Sequence, residues 1–110
     1  MDISEDRKAD TVVLALSGRL DSTTANTFEK KLLSQIESGE RRFVINLAQI
    51  DYISSAGLRV FLLAAKRLNS ANGKILLSSL QDPVREVFDI AGFSSVFSIY
   101  GSDDDAIKNV

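Results

Sequence analysis

Two adjacent serines, Ser54 and Ser55, are the side chains of this sequence that are best placed to do chemistry. They follow an apolar strand pattern that runs from Phe43 to Leu47, and they precede an apolar helix pattern that opens at Ala56. A serine at a helix start can cap it, because its oxygen accepts a hydrogen bond from a free amide of the first turn. The same position suits a phosphate, because a helix N-terminus offers unpaired N–H groups and a partial positive charge. The pair therefore predicts a helix cap, a phosphate acceptor, or both.

Other kinds of reactive centre have little support in the sequence. The chain has no histidine and no cysteine, so the commonest general base, the commonest metal ligand and the thiolate nucleophile are all missing. The carboxylates Asp21, Asp51 and Asp103 are too scattered to predict an acid–base pair, and no spacing predicts a metal site. We therefore expect a protein that is not an enzyme and that holds no cofactor and no metal.

Length and charge narrow the class of protein further. The 110 residues are enough for one domain, spanning residues 1–110, with 45% apolar and 25% charged residues. A formal net charge of −2 gives no electrostatic case for binding nucleic acid or an anionic membrane. The first residues are acidic and polar, unlike a secretory signal, and we expect a cytoplasmic protein.

Apolar periodicity predicts strands that alternate with helices. The predicted strands are Ile3–Lys8, Thr11–Gly18, Arg42–Leu47, Lys74–Ser79 and Ser95–Tyr100. The predicted helices run from a cap at Asp21 or Ser22 to Gly39, from Ala56 to about Ala71, from a cap at Asp82 to Gly92, and from Asp103 onward. This order predicts an α/β domain with a mixed, mostly parallel sheet of four to five strands and about four helices.

In such a sheet, binding sites form in the loops that follow the carboxyl ends of the strands. Two of these loops carry polar side chains, one from Gly18 to Ser22 and one from Ile50 to Ser55. If their strands are neighbours, both loops lie at the same edge of the sheet. We therefore expect Asp21, Ser54 and Ser55 to belong to one surface.

The chain resembles the STAS domains, the family of sulfate-transporter and anti-sigma-factor-antagonist domains, and in particular the single-domain bacterial antagonists. The resemblance covers nearly all of residues 1–110 and rests on the segments Gly18–Asp21, Asn46–Leu47, Tyr52–Leu58 and Gly73–Ser78. The third segment is the most specific. The resemblance implies that Ser55 is a phospho-acceptor. Ser54, which stands where many members have an aspartate, is the less expected acceptor.

The resemblance also implies a function and partners. It predicts an anti-sigma factor antagonist that binds an anti-sigma factor serine kinase, frees a sigma factor while unphosphorylated, and is inactivated by phosphorylation and reset by a serine phosphatase. The predicted partner-binding residues are Asp21, Ser54, Ser55, Gly57 and Arg59. The missing side chain at Gly57 is expected to let a partner approach closely, and Arg59 is expected to meet an acidic partner patch.

Simpler roles and other functions stay open for the same residues. Ser55 fits a plain helix cap, Asp21 a turn residue and Arg59 a solvated helix face. One alternative function is a STAS subunit of another assembly, such as a lipid-transporter ATPase complex. A small-ligand or nucleotide-binding module is another, although the chain lacks a glycine-rich loop that cradles phosphates.

Overall fold

The structure, a computed structural model, describes residues 1–110 as alternating strands and helices. The strands are β1 (Asp2–Lys8), β2 (Thr11–Leu20), β3 (Arg42–Ile53), β4 (Lys74–Ser78) and β5 (Ile99–Tyr100). The α-helices are α1 (Ala25–Glu37), α2 (Ser55–Ser70), α3 (Asp82–Ile90) and α4 (Asp103–Ile107), with a single 3₁₀ turn at Phe93–Ser95. The predicted α/β architecture is confirmed.

The five strands form one sheet in the order β1-β2-β3-β4-β5. The first two strands pair antiparallel, and every other pair is parallel. Parallel neighbours need crossovers, and the helices α1, α2 and α3 supply them between successive strands. The carboxyl ends of β2 and β3 consequently meet at one edge of the sheet, as the sequence predicted, whereas β4 ends earlier, opposite Asn46.

The two faces of the sheet are covered unequally. On one face, α1, α2 and α3 enclose a core of 22 buried residues. Phe61 lies at its centre, with ring centroids 5.2 Å from Phe28, 5.7 Å from Phe88 and 6.1 Å from Phe97. On the other face the short helix α4 covers a smaller cluster, through Ala106. No helix combines the length and apolar composition that crossing a lipid bilayer requires.

Three strand boundaries differ from the predicted ones by more than one residue. β2 and β3 continue past Gly18 and Leu47, because the two strands keep pairing with each other there. Register shifts in this part of the pairing offset the alternation of inward and outward side chains. β5 is much shorter than the predicted Ser95–Tyr100. The 3₁₀ turn Phe93–Ser95 ends at the first residue of the predicted strand, and Phe97, shortly after it, is buried in the core.

The helix starts also need correction. α1 begins at Ala25, after a turn that contains both predicted caps, Asp21 and Ser22. α3 begins at Asp82, so Gln81 occupies the cap position and makes no side-chain capping bond. α2 begins one residue earlier than predicted, and that shift decides which serine caps it.

Candidate functional site

The two predicted loops lie side by side at the edge where β2 and β3 end. In the parallel register, Arg19 is opposite Tyr52 and Leu20 is opposite Ile53. Beyond the last pair, the Ser54 amide donates a hydrogen bond to the Leu20 carbonyl oxygen at 2.9 Å. The loop before α1 and the start of α2 are therefore parts of one continuous edge, as expected from the topology.

The structure assigns the capping role to Ser54. Its backbone is extended, with φ −96° and ψ 172°, and its Oγ accepts a hydrogen bond from the Gly57 amide at 3.3 Å. Its carbonyl oxygen accepts from the Leu58 amide at 3.0 Å. Ser54 thus satisfies one of the free donors of the first turn and begins the helical ladder.

Ser55 is left free of that structural task. It is the first helical residue, it is exposed, and no hydrogen bond within the chain engages its hydroxyl. The first turn of α2 carries no acidic residue, so the partial positive charge of this helix end is not balanced locally. An exposed hydroxyl at such a position can accept a phosphoryl group without displacing any buried atom.

Asp21 folds back over its own loop. Its Oδ1 accepts hydrogen bonds from the Thr23 hydroxyl at 2.6 Å, the Thr23 amide at 3.0 Å and the Thr24 amide at 3.2 Å. The bond from the Thr23 hydroxyl, followed by that from the Thr24 amide, lowers the pKa of Asp21 to about 2. Asp21 therefore has the turn role that the sequence left open. The low pKa keeps the carboxylate ionised, and its other oxygen, Oδ2, lies 3.9 Å from the Arg19 Nε.

One feature of this edge was missed by sequence reasoning. The Arg19 guanidinium lies over the Tyr52 ring, 4.1 Å from its centroid, and the Tyr52 side chain is 42% exposed. A cation held over an aromatic face is attracted to the ring electrons. Arg19 and Tyr52 are opposite each other in the register, but both lie beyond the predicted ends of their strands, and a register shift between Gly18 and Arg19 sets their pairing.

Gly57 has a different role from the one expected. It is buried, and a Cβ added there would lie 2.8 Å from the Leu20 Cγ and 3.1 Å from the Ile53 Cγ1. The space above Gly57 is therefore filled by the ends of β2 and β3. Its missing side chain lets α2 approach the sheet, and that packing accounts for the glycine without a partner.

Arg59 lies on the exposed side of α2, as predicted. Its Nη2 is 3.4 Å from the Glu29 Oε1 on α1, and 67% of the Arg59 side chain is exposed. This contact is the only ion pair that either residue makes. Arg59 is one helical turn beyond Ser55, so both residues face the same side of the helix.

A second polar cluster, also missed, ties α4 to the strands β3 and β4. The Asp103 Oδ1 accepts hydrogen bonds from the Asn46 Nδ2 at 3.0 Å and from the Ser78 Oγ at 2.6 Å. Ser78 is fully buried, so its hydroxyl depends on this acceptor. The sequence predicted only a charged helix start at Asp103. The structure adds two hydrogen bonds from the sheet to its carboxylate, which give Asp103 a structural role.

A cavity of about 390 Å³ lies away from this edge, between the later turns of α2 and the start of β4. Its lining is mainly apolar, with Lys66 and Lys74 among the polar members. None of the predicted site residues lines it. The candidate site is accordingly an open surface at the ends of β2 and β3, and a surface of this kind fits a protein partner better than an enclosed small molecule.

Comparison with known proteins identifies the family. The model of the STAS domain matches residues 2–106. The chain is 42% identical over 106 residues to BtrV of Bordetella bronchiseptica, which is named as a candidate anti-sigma factor antagonist; the match covers 96% of this chain and 91% of BtrV.

Solved structures share the fold. A candidate anti-sigma factor antagonist from Thermotoga maritima superposes with a TM-score of 0.94 at 22% identity, over 98% of this chain and 93% of that one. The anti-sigma factor antagonist SpoIIAA matches in its unphosphorylated form with a TM-score of 0.86 at 22% identity, over 98% and 95% of the two chains. The phosphorylated form of SpoIIAA from Bacillus matches with a TM-score of 0.78 at 21% identity, over 98% of each chain. With the family model covering nearly the whole sequence, the chain belongs to the STAS domain family.

Proposed function

We propose that this chain is an anti-sigma factor antagonist controlled by phosphorylation of Ser55. In its unphosphorylated form it binds an anti-sigma factor that is also a serine kinase. The anti-sigma factor then releases the sigma factor that it held. Names of relatives support the first part, since BtrV and SpoIIAA are both named as antagonists of anti-sigma factors. That SpoIIAA, which shares this fold, exists in a phosphorylated form supports the second.

The observation that carries the proposal is that the two neighbouring serines have different roles in the structure. Ser54 caps α2 through the Gly57 amide, and Ser55 presents an unengaged, exposed hydroxyl one residue later. In the proposed reaction the Ser55 Oγ attacks the γ-phosphorus of ATP. The new O–P bond forms as the bond to ADP breaks, and the hydroxyl proton passes to a base of the kinase. The nucleotide and its metal belong to the kinase.

Phosphorylation would then weaken binding by charge and not by unfolding. A phosphoserine carries a charge of about −1.5 to −2 at neutral pH. Placed at an exposed helix start it disturbs no core packing, but it adds a desolvation cost and repulsion within the interface. A loss of about 3–4 kcal/mol would weaken binding roughly 150- to 800-fold, which is enough to change the preferred partner. A serine phosphatase would restore the original form.

The test is the mass of the protein after incubation with its cognate kinase and ATP. One phosphate should be added, tandem mass spectrometry should locate it at Ser55, and Ser55→Ala should abolish it. Ser54→Ala is the matched control and should still be modified. Phosphate that persists in Ser55→Ala but disappears in Ser54→Ala would assign the acceptor to the neighbouring serine.

A further inference from the structure

The pair between Arg59 and Glu29 joins α2 to α1 beside Ser55. Its single contact, from the Arg59 Nη2 to the Glu29 Oε1, is 3.4 Å long. A short, two-pronged arginine–carboxylate pair is much stronger than one long contact. The Arg59 side chain is also largely exposed. The guanidinium is therefore held loosely and is available to a better anion within its reach.

A phosphate on Ser55 would be within that reach. Arg59 follows Ser55 by four residues on one helix, and side chains of a helix lean toward its N-terminus, over the preceding turn. An acidic group placed four residues before an arginine is the favourable order for a pair on a helix surface. No acidic side chain in the first turn of α2 competes for the guanidinium.

We propose that Arg59 binds the phosphoryl group of phosphoserine 55 and gives up Glu29 in doing so. This inference rests on the proposed phosphorylation of Ser55. It makes Arg59 the residue that positions the phosphate, and it makes the exchange of anions part of the switch. Phosphorylation then changes the surface in three ways: it adds the phosphate charge, it pairs the positive charge of Arg59 with that phosphate, and it exposes the Glu29 carboxylate on α1.

The experiment measures the second pKa of the phosphate by phosphorus NMR. Phosphoserine is incorporated at position 55 during protein synthesis, so the measurement does not depend on any kinase. In the protein with phosphoserine at position 55 and no other change, Arg59 should hold this pKa below the value of about 6 that is usual for a phosphoserine. In Arg59→Gln the pKa should rise by about 0.5–1 unit, because the nearby positive charge is lost.

Two further arginines serve as controls for the same substitution. Arg67 lies in the last turn of α2, so Arg67→Gln should leave the pKa of the phosphate unchanged. Arg19 is engaged with the Tyr52 ring on the adjacent loop, and Arg19→Gln should also have little effect. A pKa that rises in Arg19→Gln and not in Arg59→Gln would overturn the proposal, as would equal values in all four proteins.

A second readout guards against an indirect effect of the mutation. The side-chain Nε–H resonance of Arg59 should shift between the unmodified and phosphorylated proteins, while that of Arg67 stays in place. An Arg59 resonance that does not move would also refute the contact. Neither readout depends on whether a kinase modifies Ser55, so failure of this inference and failure of the proposed function can be told apart.

Discussion

The amide of Ser54 donates to the carbonyl oxygen of Leu20 at 2.9 Å, and this bond fixes α2 against the end of β2. Leu20 also fills the space that a side chain at position 57 would need. One residue of β2 therefore holds both the cap of α2 and the third residue of its first turn. The start of α2, and with it Ser55, is therefore held against the sheet and does not lie in a flexible loop.

Removing the cap should destabilise the protein, and removing the neighbouring hydroxyl should not. Ser54→Ala loses the bond from Ser54 Oγ to the Gly57 amide, which should lower the free energy of unfolding by about 0.5–2 kcal/mol. Ser55→Ala removes a hydroxyl that bonds to nothing in the chain and should change it by less than about 0.5 kcal/mol. Urea unfolding followed by circular dichroism measures both. The opposite order would mean that Ser55 is the cap.

Alanine at position 57 should be harmful, although alanine normally suits a helix better than glycine. The usual gain is about 0.5–1 kcal/mol, but here the new Cβ would lie 2.8 Å from the Leu20 Cγ. Overpacking costs about 1–3 kcal/mol, so we expect Gly57→Ala to lower the melting temperature by several degrees. Gly101→Ala, with no atom within 4 Å of its added Cβ, is the control. Unchanged melting of Gly57→Ala would show that α2 can move outward freely.

Much of the fold follows from the sequence because local periodicity and packing agree. Apolar spacing predicts a buried face of α1, and the structure buries four of its five residues and half-buries Leu33; the four are Ala25, Phe28, Leu32 and Ile36. The end of β3 was missed for a physical reason. Leu47, Ile50 and Ile53 are all buried but are spaced by three, because register shifts against β2 break the two-residue alternation. Val96 and its neighbours were predicted as strand, yet Val96 directly follows a 3₁₀ turn that ends at Ser95, and it is 59% exposed.

The site was predictable to the level of the edge but not of individual contacts. Parallel neighbouring strands were enough to place Asp21 and Ser55 at one edge, since both loops follow strand ends. Which serine caps α2 depends on one residue of helix boundary, and sequence patterns do not resolve boundaries that finely. The bonds of Asp103 to Asn46 and Ser78 join positions distant in sequence, and only the packing of α4 reveals them.

The low pKa of Asp21 gives a pH dependence with a definite sign. Hydrogen bonds from Thr23 and Thr24 lower the pKa of Asp21 to about 2 in the folded state, against about 3.9 when unfolded. Ionised Asp21 therefore favours the folded state above about pH 4, and this contribution disappears as the pH falls through about 2. Asp21→Asn keeps an acceptor oxygen but cannot ionise.

The stability of wild type should consequently exceed that of Asp21→Asn at neutral pH, and the difference should shrink between about pH 4 and pH 2. Denaturant unfolding at a series of pH values measures it. Asp104→Asn, an exposed residue in the first turn of α4, is the control for loss of one negative charge. A difference that stays constant down to pH 2 would rule out the hydrogen-bonded carboxylate as its source.

Asp103 should matter more for stability than its acidic neighbour. Asp103→Ala leaves the buried Ser78 hydroxyl and the Asn46 amide without their acceptor, at a cost of about 1–3 kcal/mol. Asp104→Ala loses the same favourable charge at the start of α4 but neither bond. Thermal melts of the two variants separate the effects. Equal melting temperatures would show that α4 is held by its apolar contacts alone.

The last prediction concerns the proposed partner face, which should include both Asp21 and Ser55. Arg19 and Tyr52 are opposite each other on β2 and β3, two residues before Asp21 and three before Ser55, so one partner surface can contact both loops. Asp21→Asn preserves the acceptor of the turn while removing the charge. It should weaken binding of the cognate kinase by about 1–2 kcal/mol, roughly 5- to 30-fold.

Calorimetric titration with a non-hydrolysable nucleotide measures this binding without phosphorylation. The control is Lys74→Ala, because Lys74 pairs with Arg42 at the opposite ends of the strands and contacts the Asn109 carbonyl oxygen there. It should bind the kinase like the unaltered protein. Normal binding by Asp21→Asn together with weakened binding by Lys74→Ala would move the partner face to the other end of the sheet. Ser55 would then lie outside the contact, and phosphorylation there would have to act on binding at a distance.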